Sequence, residues 1–106
     1  MMYVITAQLA SPSRNEEVID SWIRSQFASW TNPLPAVWVV EGAIAAEQIL
    51  NALAPSLSPD DRLLIIKAAT EAVWHGVSDD SARWLADNFP GSITERVAGE
   101  TEGLVE

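Results

Sequence analysis

The chain has no cysteine among its 106 residues, which removes disulfides, thiolate metal sites and cysteine nucleophiles together. It is also poor in positive charge, with six Lys plus Arg against fifteen Asp plus Glu and a net charge of −9. The basic residues (Arg14, Arg24, Arg62, Lys67, Arg83 and Arg96) are scattered, and no two are adjacent. Binding to a phosphate backbone rests on cations that displace condensed counterions, so nucleic acid is not an expected partner unless another protein supplies the basic surface. No apolar run approaches the roughly 18 residues of a membrane span. The opening Met1-Met2-Tyr3 shows no basic segment leading into an apolar signal core. A cytoplasmic location without membrane attachment is therefore the expectation.

Hydrophobic residues make up 48% of the chain, enough for one modest core in a chain of this length. Met2–Leu9 reads as a strand covered on both faces, broken by Ser11-Pro12-Ser13. Ser13 and Glu16 have the spacing of a capping box. After them Val18, Ile19, Trp22, Ile23, Phe27 and Trp30 fall at helical spacing, with Asp20 and Arg24 one turn apart. Pro33 and Pro35 end that helix. Ala36–Glu41 is a β-branched and aromatic strand closed by Gly42. A second helix begins near Ala45 and is limited by Pro55. Pro59-Asp60-Asp61 then turns into a strand over Arg62–Lys67.

Ala68–Val77 reads either as an edge strand or as a loop. Ser78 caps a short helix with Asp79 and Asp80 in its first turn, and Trp84, Leu85 and Phe89 give it an apolar side until Pro90-Gly91. Ser92–Glu106 contributes −3 through four Glu and one Arg, leaving the body at −6. The expected organisation is α+β, in the order strand-helix-strand-helix-strand plus a short C-terminal helix. It forms one domain over residues 1–91, followed by an acidic, disordered tail over 92–106. Helices alternating with strands give a two-layer α/β sandwich, which a hairpin around Leu34–Gly42 or an added strand after Lys67 would make ferredoxin-like. Such a small sheet leaves edges to be blunted or paired, and a second copy is the simplest pairing partner.

Tyr3–Leu9, Leu34–Gly42, Asp60–Ile66, Trp74 and Trp84-Leu85 together resemble the small bacterial SinR-family proteins. These are similar to the small CRISPR-associated adaptation subunit and to VapD-like ribonucleases. The resemblance spans roughly residues 2–89. It implies a ferredoxin-like homodimer, in whose nuclease members an aspartate at the end of the first strand binds a divalent metal. The matching position here is Gln8. An amide lacks the charge that holds Mg²⁺, and it cannot serve as a general base near neutral pH.

The remaining candidates are few. Asp60-Asp61 and Asp79-Asp80 read as a turn and a helix start, although either Asp60 or Asp61 could rebuild a metal site. His75, the single histidine, lies beside Trp74 and before Gly76 and has no second catalytic motif near it in sequence. Five tryptophans are many for this length; Trp22 and Trp30 fit a core helix face, while Trp38 and Trp74, with His75, are the candidate interface. No cofactor, catalytic residue or metal ligand is expected. The reading is a non-catalytic, homodimeric protein-interaction module with a degenerate site at Gln8, and its alternative is a metal-dependent endoribonuclease or DNase.

Overall fold

The computed structural model describes residues 1–10 and 12–89; the expected tail and the Pro90-Gly91 stop lie outside the described residues. The chain divides into two compact units, one from Met1 to Ala69 and one beginning at Thr70.

The first unit runs β1 (Met2–Gln8), α1 (Pro12–Gln26), β2 (Ser29–Leu34), β3 (Val37–Glu41), α2 (Ala46–Leu53), a 3-10 turn over Ala54–Ser56, and β4 (Arg62–Ala68). Its four strands form one antiparallel sheet in the order β2-β3-β1-β4. Two helices connecting the strands of such a sheet make the architecture α+β.

The pairing register decides which residues share a face, because side chains alternate along each strand. Tyr3 opposes Val40 and Ile5 opposes Trp38, so these four point to one side. There they meet Ile19 and Ile23 of α1 and Ile49 and Leu53 of α2 in a single buried cluster. Trp30, Leu63 and Ile65 border it. Both helices therefore lie on the same face. Phe27, just past α1, is buried against Gly42, where an added Cβ would stand 2.9 Å from the ring. Close approach of backbone to ring explains that glycine.

Two expectations are corrected. The helical spacing read through Trp30 fails beyond Gln26, and Ser29–Leu34 is a strand. Trp30 satisfies the same core from β2 by pairing opposite Val40. Ser13 lies inside the first turn of α1, since the helix begins at Pro12, a favoured first helical residue. The strands expected at 36–41 and 62–67 and the helix expected from Ala45 stand as β3, β4 and α2.

The β2–β3 turn is built from Pro35 and Ala36, and Ala36 takes a positive φ of 59°. Its N–H donates to Glu16 Oε2 at 3.1 Å, and its carbonyl accepts from the Ala7 N–H at 3.1 Å. Asn32 Nδ2 donates to the carbonyls of Leu34 and Val37 at 2.8 and 2.6 Å. The turn is thus held from α1, from β1 and from within.

In the second unit, α3 (Asp79–Asn88) is capped by Ser78, whose Oγ accepts from the Ser81 N–H at 3.2 Å. Asp79 and Asp80 occupy the first turn, where negative charge favours the helix dipole. Gly76 adopts φ +79° in the segment before it. Between Ala68 and Asp79 the chain forms no helix or extended strand, only a single β-bridge residue at Val73. Among the described residues no helix is long and apolar enough to cross a membrane.

Candidate functional site

Gln8 is the last residue of β1, and its in-register partner on β4 is Arg62. Partners in an antiparallel pair project to the same side, here the face away from α1 and α2. Both residues are exposed. Two shallow depressions share them. The first, about 220 Å³, is lined by Thr6, Ala7, Gln8, Arg62, Leu63 and Leu64. The second, about 250 Å³, is lined by Gln8, Leu9, Ala10, Asp60 and Arg62. A guanidinium therefore stands beside the amide where the resemblance would place a metal-binding carboxylate.

Asp61 is adjacent in sequence but committed elsewhere. Its Oδ1 accepts from the Ala10 N–H at 2.8 Å, and its Oδ2 accepts from Asn15 Nδ2 at 2.6 Å and the Ser58 N–H at 2.8 Å. The Asp61 N–H in turn donates to the Ser58 carbonyl at 3.0 Å. One carboxylate thus ties together the exit of β1, the first turns of α1 and the turn into β4. The backbone donors of Ala10 and Ser58, followed by Asn15, hold its carboxyl below the ordinary carboxylate value. This bonding makes Asp61 a structural acceptor. Among the described residues no group of three His, Asp or Glu side chains is placed to hold a metal ion.

A second polar cluster lies between α1 and the β2–β3 hairpin, in a depression of about 270 Å³ lined by Glu16, Glu17, Asp20, Arg24 and Asn32. Asp20 Oδ1 accepts from Trp38 Nε1–H at 3.0 Å, and Oδ2 accepts from Arg24 Nε–H at 2.6 Å, the pair expected from the sequence. Burial pushes the Asp20 carboxyl up, but the bonds from Arg24 and Trp38 outweigh it and the net shift is downward. The Arg24 guanidinium lies 4.5 Å from the ring centre of Trp30, a cation–π contact. Glu16 and Asp20 thus anchor the Ala36 turn and the Trp38 indole. Their acidity serves the fold.

Of the expected interface residues, Trp38 is 0% exposed and hydrogen-bonded through its indole, so it presents no surface to a partner. Its strand pairs on both sides, with β1 and β2, which is why an aromatic that reads as a surface anchor is core. Trp74 is half-buried, and its indole N–H is buried with no hydrogen-bond partner. His75 is exposed. Leu64 and Ile66 of β4 are exposed at 55% and 50%, and Leu34 and Val73 are also more than half exposed. Leu64 and Ile66 point away from the helices, beside Thr6 and Val4. Arg62 was passed over by the sequence reading, because only the strand register brings it to Gln8. No protein-family model matches the chain, and no curated protein matches it.

Proposed function

We propose that the chain is a non-catalytic protein-interaction module of ferredoxin-like architecture that works as a homodimer. The element order β1-α1-β2-β3-α2-β4 and the sheet order β2-β3-β1-β4 support the ferredoxin-like reading, with two helix crossovers each spanning one intervening strand. The resemblance to SinR-family proteins, with the metal-binding aspartate replaced by Gln8, belongs to the same proposal.

The observation that carries it is the pair Leu64 and Ile66, each at least half exposed on an edge strand. Exposed aliphatic side chains on a long, regular edge are a pairing liability unless a partner covers them. The non-catalytic half of the reading is supported by the arrangement around Gln8. The neighbouring guanidinium of Arg62 opposes a divalent cation, and both oxygens of Asp61 already accept hydrogen bonds.

The test is light scattering coupled to gel filtration, on the wild type and on the Leu64→Lys/Ile66→Lys double variant. The expected result is a wild-type dimer and a folded, monomeric variant. A wild type that stays monomeric at high concentration and retains no partner protein from a host lysate overturns the proposal. Mg²⁺- or Mn²⁺-dependent cleavage of RNA or DNA, lost in Asp61→Ala but kept in Gln8→Ala, would establish the nuclease instead.

A further inference from the structure

The first depression beside Gln8 has a lining unlike the rest of this chain. Fifteen acidic residues are distributed over the sequence, yet none borders it. Its polar groups are the Thr6 hydroxyl, the Gln8 amide and the Arg62 guanidinium, with Leu64 as apolar wall. Thr6, Gln8, Arg62 and Leu64 share a face, because Thr6 opposes Leu64 and Gln8 opposes Arg62. Arg62 forms no ion pair among the described residues. The carboxylate preceding it in sequence would be its natural counter-ion, but that of Asp61 is turned to Ala10, Asn15 and Ser58. Asp60 borders the second depression and not the first. An unpaired guanidinium offers a planar fork of donors that matches an oxyanion, and an amide N–H and a hydroxyl beside it complete the set.

We propose that this depression is an oxyanion subsite, which takes a carboxylate or phosphate group on Arg62, Gln8 and Thr6 with an apolar portion of the ligand against Leu64. The subsite shares Leu64 with the proposed dimer surface, but its polar groups on Thr6, Gln8 and Arg62 all come from one copy, and a titration reads them directly. Such a subsite inverts the charge preference of the position. Where an aspartate would call for a cation, Gln8 and Arg62 call for an anion. The net charge of −9 depletes anions around the molecule most strongly at low ionic strength, so the titration is run at an ionic strength that screens this repulsion.

The experiment is a pair of ¹H–¹⁵N titrations of the intact chain, one with sodium phosphate and one with sodium glutarate, each against sodium chloride at matched ionic strength. Saturating shifts of the Gln8 side-chain amide and the Arg62 Nε–H in either arm, absent with chloride, support the subsite. The arm that saturates identifies the phosphate or the carboxylate source. Arg62→Ala is expected to weaken that binding by about tenfold or more, since a charge-assisted fork is lost. Arg62→Lys, which keeps the charge without the fork, is expected to retain part of it, and Asp60→Asn to strengthen it. Arg62 is exposed, so its variants fold, and an unchanged backbone spectrum checks this. Shifts in both arms that match chloride, or binding that Arg62→Ala leaves intact, overturn the proposal.

Discussion

The two edges of the sheet carry opposite solutions to the same problem. At one edge, β2 is interrupted by a register shift between Thr31 and Leu34 and contains Pro33, which has no N–H to offer a neighbour. Ser29 and Asn32 add polarity, and the Asn32 side chain is spent on the turn. At the other edge, β4 runs seven residues in unbroken register with β1 and shows Leu64 and Ile66 to solvent. Its charged residues, Arg62 and Lys67, stand near its two ends. An edge with a proline and a bulge is closed to further pairing, whereas a regular aliphatic edge is open. Under the homodimer proposed above, the comparison makes association by this unit directional, with β4 as the strand it uses.

The largest effect should come from the middle of the sheet, where neither edge contributes. Trp38→Ala removes a fully buried indole from β3 and leaves Asp20 with one partner fewer. A loss of about 3–5 kcal/mol is expected, measured by chemical denaturation. If the loss is much smaller, the helix-covered face is not what stabilises the unit, and the edges share that role.

A smaller loss is expected from Asp61→Asn, which weakens the tie between the β1 exit and the start of the open edge. The same group sets a pH dependence. Its folded carboxyl titrates below the ordinary value of 3.8, so its stabilisation is full above that value and is lost as pH falls through the lower folded one. Thermal unfolding from pH 6 downward should therefore show an acid-side fall in the wild type that is blunted in Asp61→Asn. Equal acid profiles would show that the three hydrogen bonds do not distinguish folded from unfolded carboxyl.

At the open edge, Leu64→Lys/Ile66→Lys should alter monomer stability by no more than about 0.5 kcal/mol, since neither side chain is buried. A large loss would mean that these side chains are packed and that β4 is a closed edge. The smallest change belongs to the closed edge and is a gain. Ala36→Gly relieves the positive φ of the β2–β3 turn against the backbone entropy that glycine loses on folding, and should stabilise by a few tenths of a kcal/mol. A loss would indicate that the Glu16 and Ala7 bonds alone set that turn.

Much of the fold was legible in the sequence, where a pattern and its context agreed. β1, β3 and β4 are β-rich runs bounded by turn residues, α2 has its limit at Pro55, and Ser78 caps α3 as its spacing suggests. β2 was not legible. Asn32 and Pro33 argue against a strand, and Trp30 sits three residues after Phe27, as a helix would have it. Pairing with β3 overrides both, and an edge position tolerates the proline. At the candidate site Gln8 stood out by sequence, but its environment did not. The contacts that define Asp61 reach 51 residues back to Ala10 and 46 to Asn15, and Arg62 meets Gln8 only through the register. Trp38 shows the converse, because composition marks tryptophan as an interface residue and only pairing on both sides reveals it as core.

The buried Trp38 indole also gives this protein an internal clock. Its N–H is sealed from water and bound to Asp20, so its exchange with deuterium requires an opening that exposes the core. That single proton, well separated in a nitrogen-edited spectrum, times the opening of the helix-covered face without any label being added.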